Sequence, residues 1–538
     1  MIALSSGFAQ HVFFNECIAA AQPLSQMGVM IERMMPSFLP GDEERLQKFW
    51  DNTQSMRVWI QQHAPQSLEA HLRNLHAPFL EDSPSSWGPV ELARLHSVAS
   101  SLKWVLENTA ICLKETERAH PNDVAAVDHI LNMLAPHCSD TGFFLKAMPG
   151  SPLDAAFSRM QKANARWMDL ESQQREETAN VLGIAPVRLK SDITLSFDDP
   201  KLDLVRSIPT MQEVETAAHY VRFRFIVTGE AQKARDTLLQ ARREYMEQEL
   251  TEMVALQNRL NPYLNSFKNA LYVAGWVDIH FGRARWANLH DACRPKISTN
   301  HVITADDAAH PHIEKYVAQL GHQYQRISFR LQPPITSLTG ANMGGKTTFL
   351  RTVGLFQLLF QKGYFLPAHH FESFLFRSMA WIGASSDSPH LGLSSFGREC
   401  RDLADALTLP EPRLWLVDEF ARSTAVEEGM ALTGSLMDTL SASETPNHYI
   451  FAGHIQNPPS RHSVLFHLHT GELDFEAYHR HVTTMGPEKA LAASMNYRVH
   501  PGKSNRSDAL RIAGALGVPM DIINNAAQIL QELHSTEK

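Results

Sequence analysis

The chain has no run of about 18 uninterrupted apolar residues, the length a membrane-crossing helix needs, so no membrane partner is expected. Its first residues, "MIALSSGFAQHVFFNECIAA", lack a basic start and a clean apolar stretch, which argues against a secretory signal. Cysteine is scarce: five residues, at 17, 112, 138, 293 and 400, lie scattered without a C-x-x-C pair. That usage suits a reducing compartment and speaks against a structural zinc site, so a cytoplasmic protein is expected. Histidine is plentiful at 27, yet His369-His370 and His310-Pro311-His312 lack the flanking ligands of a metal site. Solvated or capping rings are their simpler reading. There is no excess of positive charge either; the net charge is -9. An acidic total does not exclude nucleic acid, because only the contacting face must be positive, but it lends that idea no support.

What is present is a chain of 538 residues, too long for one ordinary core, with 44% hydrophobic and 20% charged residues. Those values describe a soluble globular protein of several domains. Residues 1–157 read as mostly helical. A long polar-rich helix follows, "LDAAFSRMQKANARWMDLESQQREETANVLG", ending at Gly183. In "ITLSF", Ile193, Leu195 and Phe197 alternate with Thr194 and Ser196, the period of a half-buried strand, and "YVRFRFIV" alternates similarly. From Gln232 a second long helix is expected, with Leu239, Met246, Leu250, Met253 and Leu260 at helical spacing. Residues 158–300 are therefore two long helices flanking a small strand-bearing tip at about 184–228. From 301 to 538 the character is α/β, with "ITSLTG", "RLWLVDEF" and "HYIFAGH" as buried strands between helices, which implies a parallel sheet.

The sharpest motif is "TGANMGGKT", in which Gly340-x-x-x-x-Gly345-Lys346-Thr347 has the spacing of a phosphate-binding loop. Gly340, Gly344 and Gly345 let the backbone curl so that its N–H groups face phosphates, and Lys346 meets the terminal ones. Thr347 should offer its hydroxyl to Mg²⁺, with Thr348 beside it. Asp418, at the tip of an apolar strand, is the expected magnesium partner. Glu419 beside it is placed to orient or deprotonate an attacking water. ATP and Mg²⁺ are the expected ligands.

These residues resemble the MutS family of DNA mismatch-repair ATPases. The likeness lies in "TGANMGGKT", in "LVDEF" followed by Arg422 and Thr424, in Glu428-Gly429, in "SSFGRE" and in "FAGHI". It extends to "SDALRIAGALGVPMDIINNAAQIL" near the end. Upstream, the two long helices are similar to that family's levers and the tip to its clamp. The resemblance implies a mixed fold: an all-α core with long lever helices and a small clamp, then an α/β P-loop ATPase domain with a C-terminal helical segment at about 500–538. It also implies further roles. Asn342 would point at the phosphates, and Ser394 and Ser395 would reach into a partner subunit's ATP site across a homodimer. His454 would report the γ-phosphate. Tyr324 and Tyr497 fall where the family places rings around adenine, or are ordinary partly buried tyrosines.

The chain also departs from that family. The mismatch reader's Phe-x-Glu would have to be Phe14-Asn15-Glu16, but the surrounding basic and glycine-rich pattern is missing, and Phe14 reads better as core packing. The usual "GRGTS" is here "ARSTA", with Ser423 in place of a glycine. From Arg188 to Arg206 the cations Arg188, Lys190, Lys201 and Arg206 face Asp192, Asp198, Asp199 and Asp203, four against four, so that stretch is neutral. Three functions compete. The favoured one is a dimeric ATPase clamp on duplex or branched DNA, in mismatch repair or recombination, that does not read mismatches itself. The alternative is an ATP-driven remodeller of a protein client using the same engine. The third, a nucleotide-binding scaffold without turnover, is weakened by Glu419.

Overall fold

A computed structural model describes residues 2–139, 142–341, 344–383, 395–422, 424–453, 465–502 and 509–536. The fold is mixed α/β and falls into two compact units. One comprises Met1–His76, Trp104–Ala119 and Leu271–Lys538; the other comprises Ala77–Lys103 and His120–Ala270. Among the described residues, no helix is long and apolar enough to cross a membrane.

The first unit is built on a seven-stranded sheet. Its order is Ala3–Leu4, Ser378–Gly383, Arg413–Asp418, His448–Ala452, Ile335–Gly340, Leu465–Thr470 and His500–Pro501. All neighbours are parallel except the last pair. Parallel strands are covered on both faces, which explains runs such as Leu414-Trp415-Leu416-Val417, all buried. The three strands anticipated from "ITSLTG", "RLWLVDEF" and "HYIFAGH" are all here, side by side. The opening strand Ala3–Leu4, too short to show a period, was not anticipated; it pairs with Ser378 and Met379.

Between the sheet and the rest of the core runs the helix Lys346–Gln361, buried along almost its whole length, with Gly363 just beyond it at φ 76°. Being surrounded, it must satisfy its polar groups internally. The Gln361 amide nitrogen donates to the Phe38 and Phe376 carbonyls at 2.8 Å each, and its oxygen accepts from Gln357 at 3.0 Å. Phe14 lies in this same core at 8% exposure, as packing. A second, four-stranded sheet in this unit has the order Lys296–Ile297, His370–Ser373, Ile303–Ala308 and Ile327–Leu331.

The second unit contains the two long helices, Pro152–Leu182 and Gly229–Leu260. The first starts where Ser151 Oγ accepts the Asp154 amide at 3.1 Å and stops at Gly183, left-handed at φ 63°. The apolar stripe expected on the second helix holds only in part. Met253 and Leu260 are buried, but Leu239, Met246 and Leu250 are exposed, and Leu238 and Ala241 face inward in their place. Only one face of the helix is buried, and packing decides which of several apolar residues at helical spacing lie on it. The tip is a three-stranded antiparallel sheet of Ile193–Ser196, Tyr220–Phe225 and Met211–Thr216, closed over Leu189, Val205, Val221 and Phe223.

Candidate nucleotide site

The strand Ile335–Gly340 ends in the interior of the large sheet, between His448–Ala452 and Leu465–Thr470, and the helix Lys346–Gln361 follows, capped by Gly345 at φ 86°. A Cβ on Gly340 would lie 2.0 Å from the Thr470 carbonyl oxygen, so only glycine fits against the neighbouring strand. Lys346 is folded back onto the loop, its Nζ donating to the Gly340 and Ala341 carbonyls at 3.0 Å each. Burial lowers its pKa, while the Glu419 and Asp418 carboxylates oppose that shift.

Asp418 closes the strand Arg413–Asp418, one strand removed from the loop strand. The Thr347 hydroxyl donates to Asp418 Oδ2 at 2.9 Å. Asp418 Oδ1 is buried and has no hydrogen-bond partner among the described residues. Burial pushes the Asp418 pKa up; the Thr347 bond pulls the other way and Glu419 adds to the rise. A hydroxyl bonded to a carboxylate that keeps one bare oxygen is a donor set suited to a hard divalent cation such as Mg²⁺.

Glu419 sits in the left-handed region at φ 51° and Ala421 at φ 60°. Such backbone costs about 1–3 kcal/mol per residue and needs the surroundings to hold it. Two contacts do so. The Glu419 amide donates to the Ala452 carbonyl at 2.8 Å, and the Ala421 amide donates to Glu399 Oε2 at 2.7 Å. Arg422 donates to Glu419 Oε2 at 2.5 Å. Glu399 and Arg422 stood in quoted motifs without a role; the bonds they make could not be read from spacing.

A cavity of about 1030 Å³ opens beside the loop, lined among others by Gly344, Lys346, Thr348, Glu419, Tyr324 and Tyr497. The structure thus brings both tyrosines to one pocket although they stand 173 positions apart in sequence. Burial raises the pKa of each, so both are neutral phenols. The Tyr324 hydroxyl accepts the His310 amide at 3.2 Å. Gln325, absent from the sequence-based reading, joins the two segments: it donates to the Met495 carbonyl and accepts the Tyr497 amide, both at 2.9 Å. Thr470 was also missed; its hydroxyl lies 3.1 Å from the Gly344 carbonyl and 3.0 Å from that of Tyr497. Asn342, Ser394 and His454 lie outside the described residues, and so does the side chain of Ser395, which opens the helix Ser395–Leu407.

Comparison with known proteins agrees with this geometry. The family description "MutS domain V" matches residues 336–534, the span of the loop, the Asp418-Glu419 strand and the closing helices. Residues 336–534 are thus similar to a MutS domain V. The DNA mismatch repair protein MutS of Leptospira interrogans (strain Fiocruz L1-130) is 26% identical over 428 residues, 78% of this chain and 47% of that protein. The protein of the same name from Streptococcus pyogenes serotype M5 (strain Manfredo) is 26% identical over 312 residues, 58% of this chain and 35% of its own length. The chain spans about half or less of the length of these MutS relatives.

Proposed function

We propose that this chain is an ATP hydrolase that binds magnesium-ATP at residues 340–348 and couples turnover to DNA. The observation that carries the reading is the Thr347–Asp418 bond at 2.9 Å, set beneath a glycine loop that opens into the tyrosine-lined cavity. On this reading Lys346 leaves the loop carbonyls for the β- and γ-phosphates. Thr347 and Asp418 hold magnesium, which would offset phosphate charge. Glu419 orients the attacking water and accepts its proton. Tyr324 and Tyr497 flank the adenine. Asn342, Ser394, Ser395 and His454 are assigned by family resemblance to the phosphates, to a partner copy's site and to γ-phosphate sensing, in a homodimer with composite sites. The relatives' name, DNA mismatch repair protein, supports DNA as the partner rather than a protein client.

The test is the steady-state ATPase rate alone, with linear duplex and with a four-way junction, at low and physiological salt. Glu419→Ala serves as the blank and should lose about 10²–10⁴-fold in rate. A DNA-dependent change in rate that salt abolishes is the expected result. Turnover that ignores every DNA would sink the DNA part, and no turnover above the blank would sink the whole reading.

A further inference from the structure

Remote in sequence from the phosphate loop, the first unit holds a second cavity of about 770 Å³ to which no role has been given. We propose that it binds a single-chain amphipathic anion: a flexible apolar tail with a carboxylate or phosphate head, taken up as the free molecule.

The volume falls in the range of small-ligand pockets, about 300–1,000 Å³. One wall is methionine. Met27, Met30 and Met34 come from the helix Gln26–Met34 and Met35 follows directly. Met34 is 76% exposed and Met30 43%, so the wall is open to a ligand. Unbranched thioethers adapt to a chain of no fixed shape. Aromatic rings also line the cavity: Tyr272 stands edge-on to Trp276 at 6.2 Å, and Phe49 lies 4.5 Å from His280.

The one histidine of the lining, His280, is uncharged. Thr53 Oγ1 donates to the Phe49 carbonyl at 3.2 Å, so it accepts from His280 Nδ1 at 3.0 Å. Burial lowers the His280 pKa to about 3. Charge is confined to the mouth and is of one sign in excess. Arg45, which pairs with Asp42 at 3.0 Å, Lys48 and Arg118 line it against one lining carboxylate, Glu117, which already accepts from Asn52, so the excess rests on Lys48 and Arg118. A positive mouth on an apolar pocket, in a chain of net charge -9, complements an anionic head and an apolar tail.

The experiment is calorimetric titration of the full chain with decanoate, dodecanoate, monododecyl phosphate and decanol, all below their micellar concentrations. Saturable one-to-one binding is expected, with dodecanoate about fifteenfold tighter than decanoate, since each of the two added methylenes is worth roughly fourfold when buried. Lys48→Glu/Arg118→Glu should weaken both anions at least tenfold. Lys162→Glu, in the other unit, should not, and neither change should alter basal ATPase. The two headgroups decide between carboxylate and phosphate, either of which supports the proposal. Equal binding of decanol, no effect of the double reversal, or sedimentation with anionic vesicles in place of one-to-one uptake would each overturn it. So would the absence of saturable binding, which would leave the groove to a polypeptide or to none.

Discussion

The side-chain oxygen of Gln325 accepts the backbone N–H of Tyr497 at 2.9 Å. Its amide nitrogen donates to the Met495 carbonyl at the same distance, so one side chain grips the strand Met495–Asn496 at both ends. The Tyr497 ring in turn rests on the loop, 3.1 Å from where a Cβ on Gly345 would sit. Gln325, itself part of the cavity lining, therefore ties the segment of Tyr497 to that of Tyr324. Gln325→Ala should raise KM for ATP about tenfold and leave kcat within about twofold, because a binding contact is lost and the chemistry is not. A fall in kcat at unchanged KM would contradict this assignment.

That clip also marks where the sequence stops being informative. The loop, the Asp418-Glu419 strand end and the buried strands were legible because each is a local pattern: fixed spacing, or an apolar run ending in carboxylates. Gly183 as a helix stop was legible for the same reason. Gln325, Thr470 and Glu399 were not, because a polar residue bonding to backbone more than 20 positions away leaves no periodic trace. The stripe on the helix Gly229–Leu260 misled in a related way. Several apolar residues lie at helical spacing there, and only packing decides that Leu238 faces inward and Leu239 does not. The strand Ala3–Leu4 gains its definition wholly from its neighbour.

Asp418 gives a prediction in pH. Burial raises its pKa in the folded protein above the ordinary 3.8. A raised carboxyl contributes stability that is fully present below the unfolded value and lost as pH rises through the folded one. At pH 7 the ionised side chain is therefore a cost to the ligand-free fold. Asp418→Asn keeps an oxygen for the Thr347 hydroxyl and removes that charge. It should raise Tm at pH 7 while abolishing ATPase. The difference should shrink as pH falls through the raised pKa and vanish below about 3.8. Thermal unfolding of both proteins across that window checks it; a lower Tm for the variant at pH 7 would show that the carboxylate is well paired.

Gly471 supports the loop from the neighbouring strand. It sits at φ 79°, and a Cβ there would lie 2.3 Å from the Gly344 Cα. No side-chain rotation relieves a clash between two backbones. Gly471→Ala should thus push the loop away from its seat, costing about 1–3 kcal/mol and at least tenfold in ATP affinity by equilibrium titration. Gly486→Ala has a similar φ of 79° and nothing within 4 Å, so it controls for backbone strain alone. Equal losses in the two variants would mean that the Gly344 contact has no part in binding.

The tip sets a limit on DNA binding. Residues 186–225 hold six cations and six carboxylates. Three of the cations are paired within the tip: Arg224 with Asp192 at 2.9 Å, Arg222 with Glu215 at 2.7 Å and Arg206 with Glu213 at 3.4 Å. Lys201 donates to the Leu182 carbonyl at 3.2 Å. Arg188 and Lys190 are exposed and have a carboxylate neither as ion-pair partner nor as hydrogen-bond acceptor among the described contacts of the tip. Each phosphate contact on duplex DNA contributes about 0.9 to the slope of log affinity against log salt. If the tip grips DNA, Arg188→Ala/Lys190→Ala should lower that slope by about 1.8 and weaken binding alike for all sequences. A slope unchanged by the double substitution would remove the tip from the DNA contact.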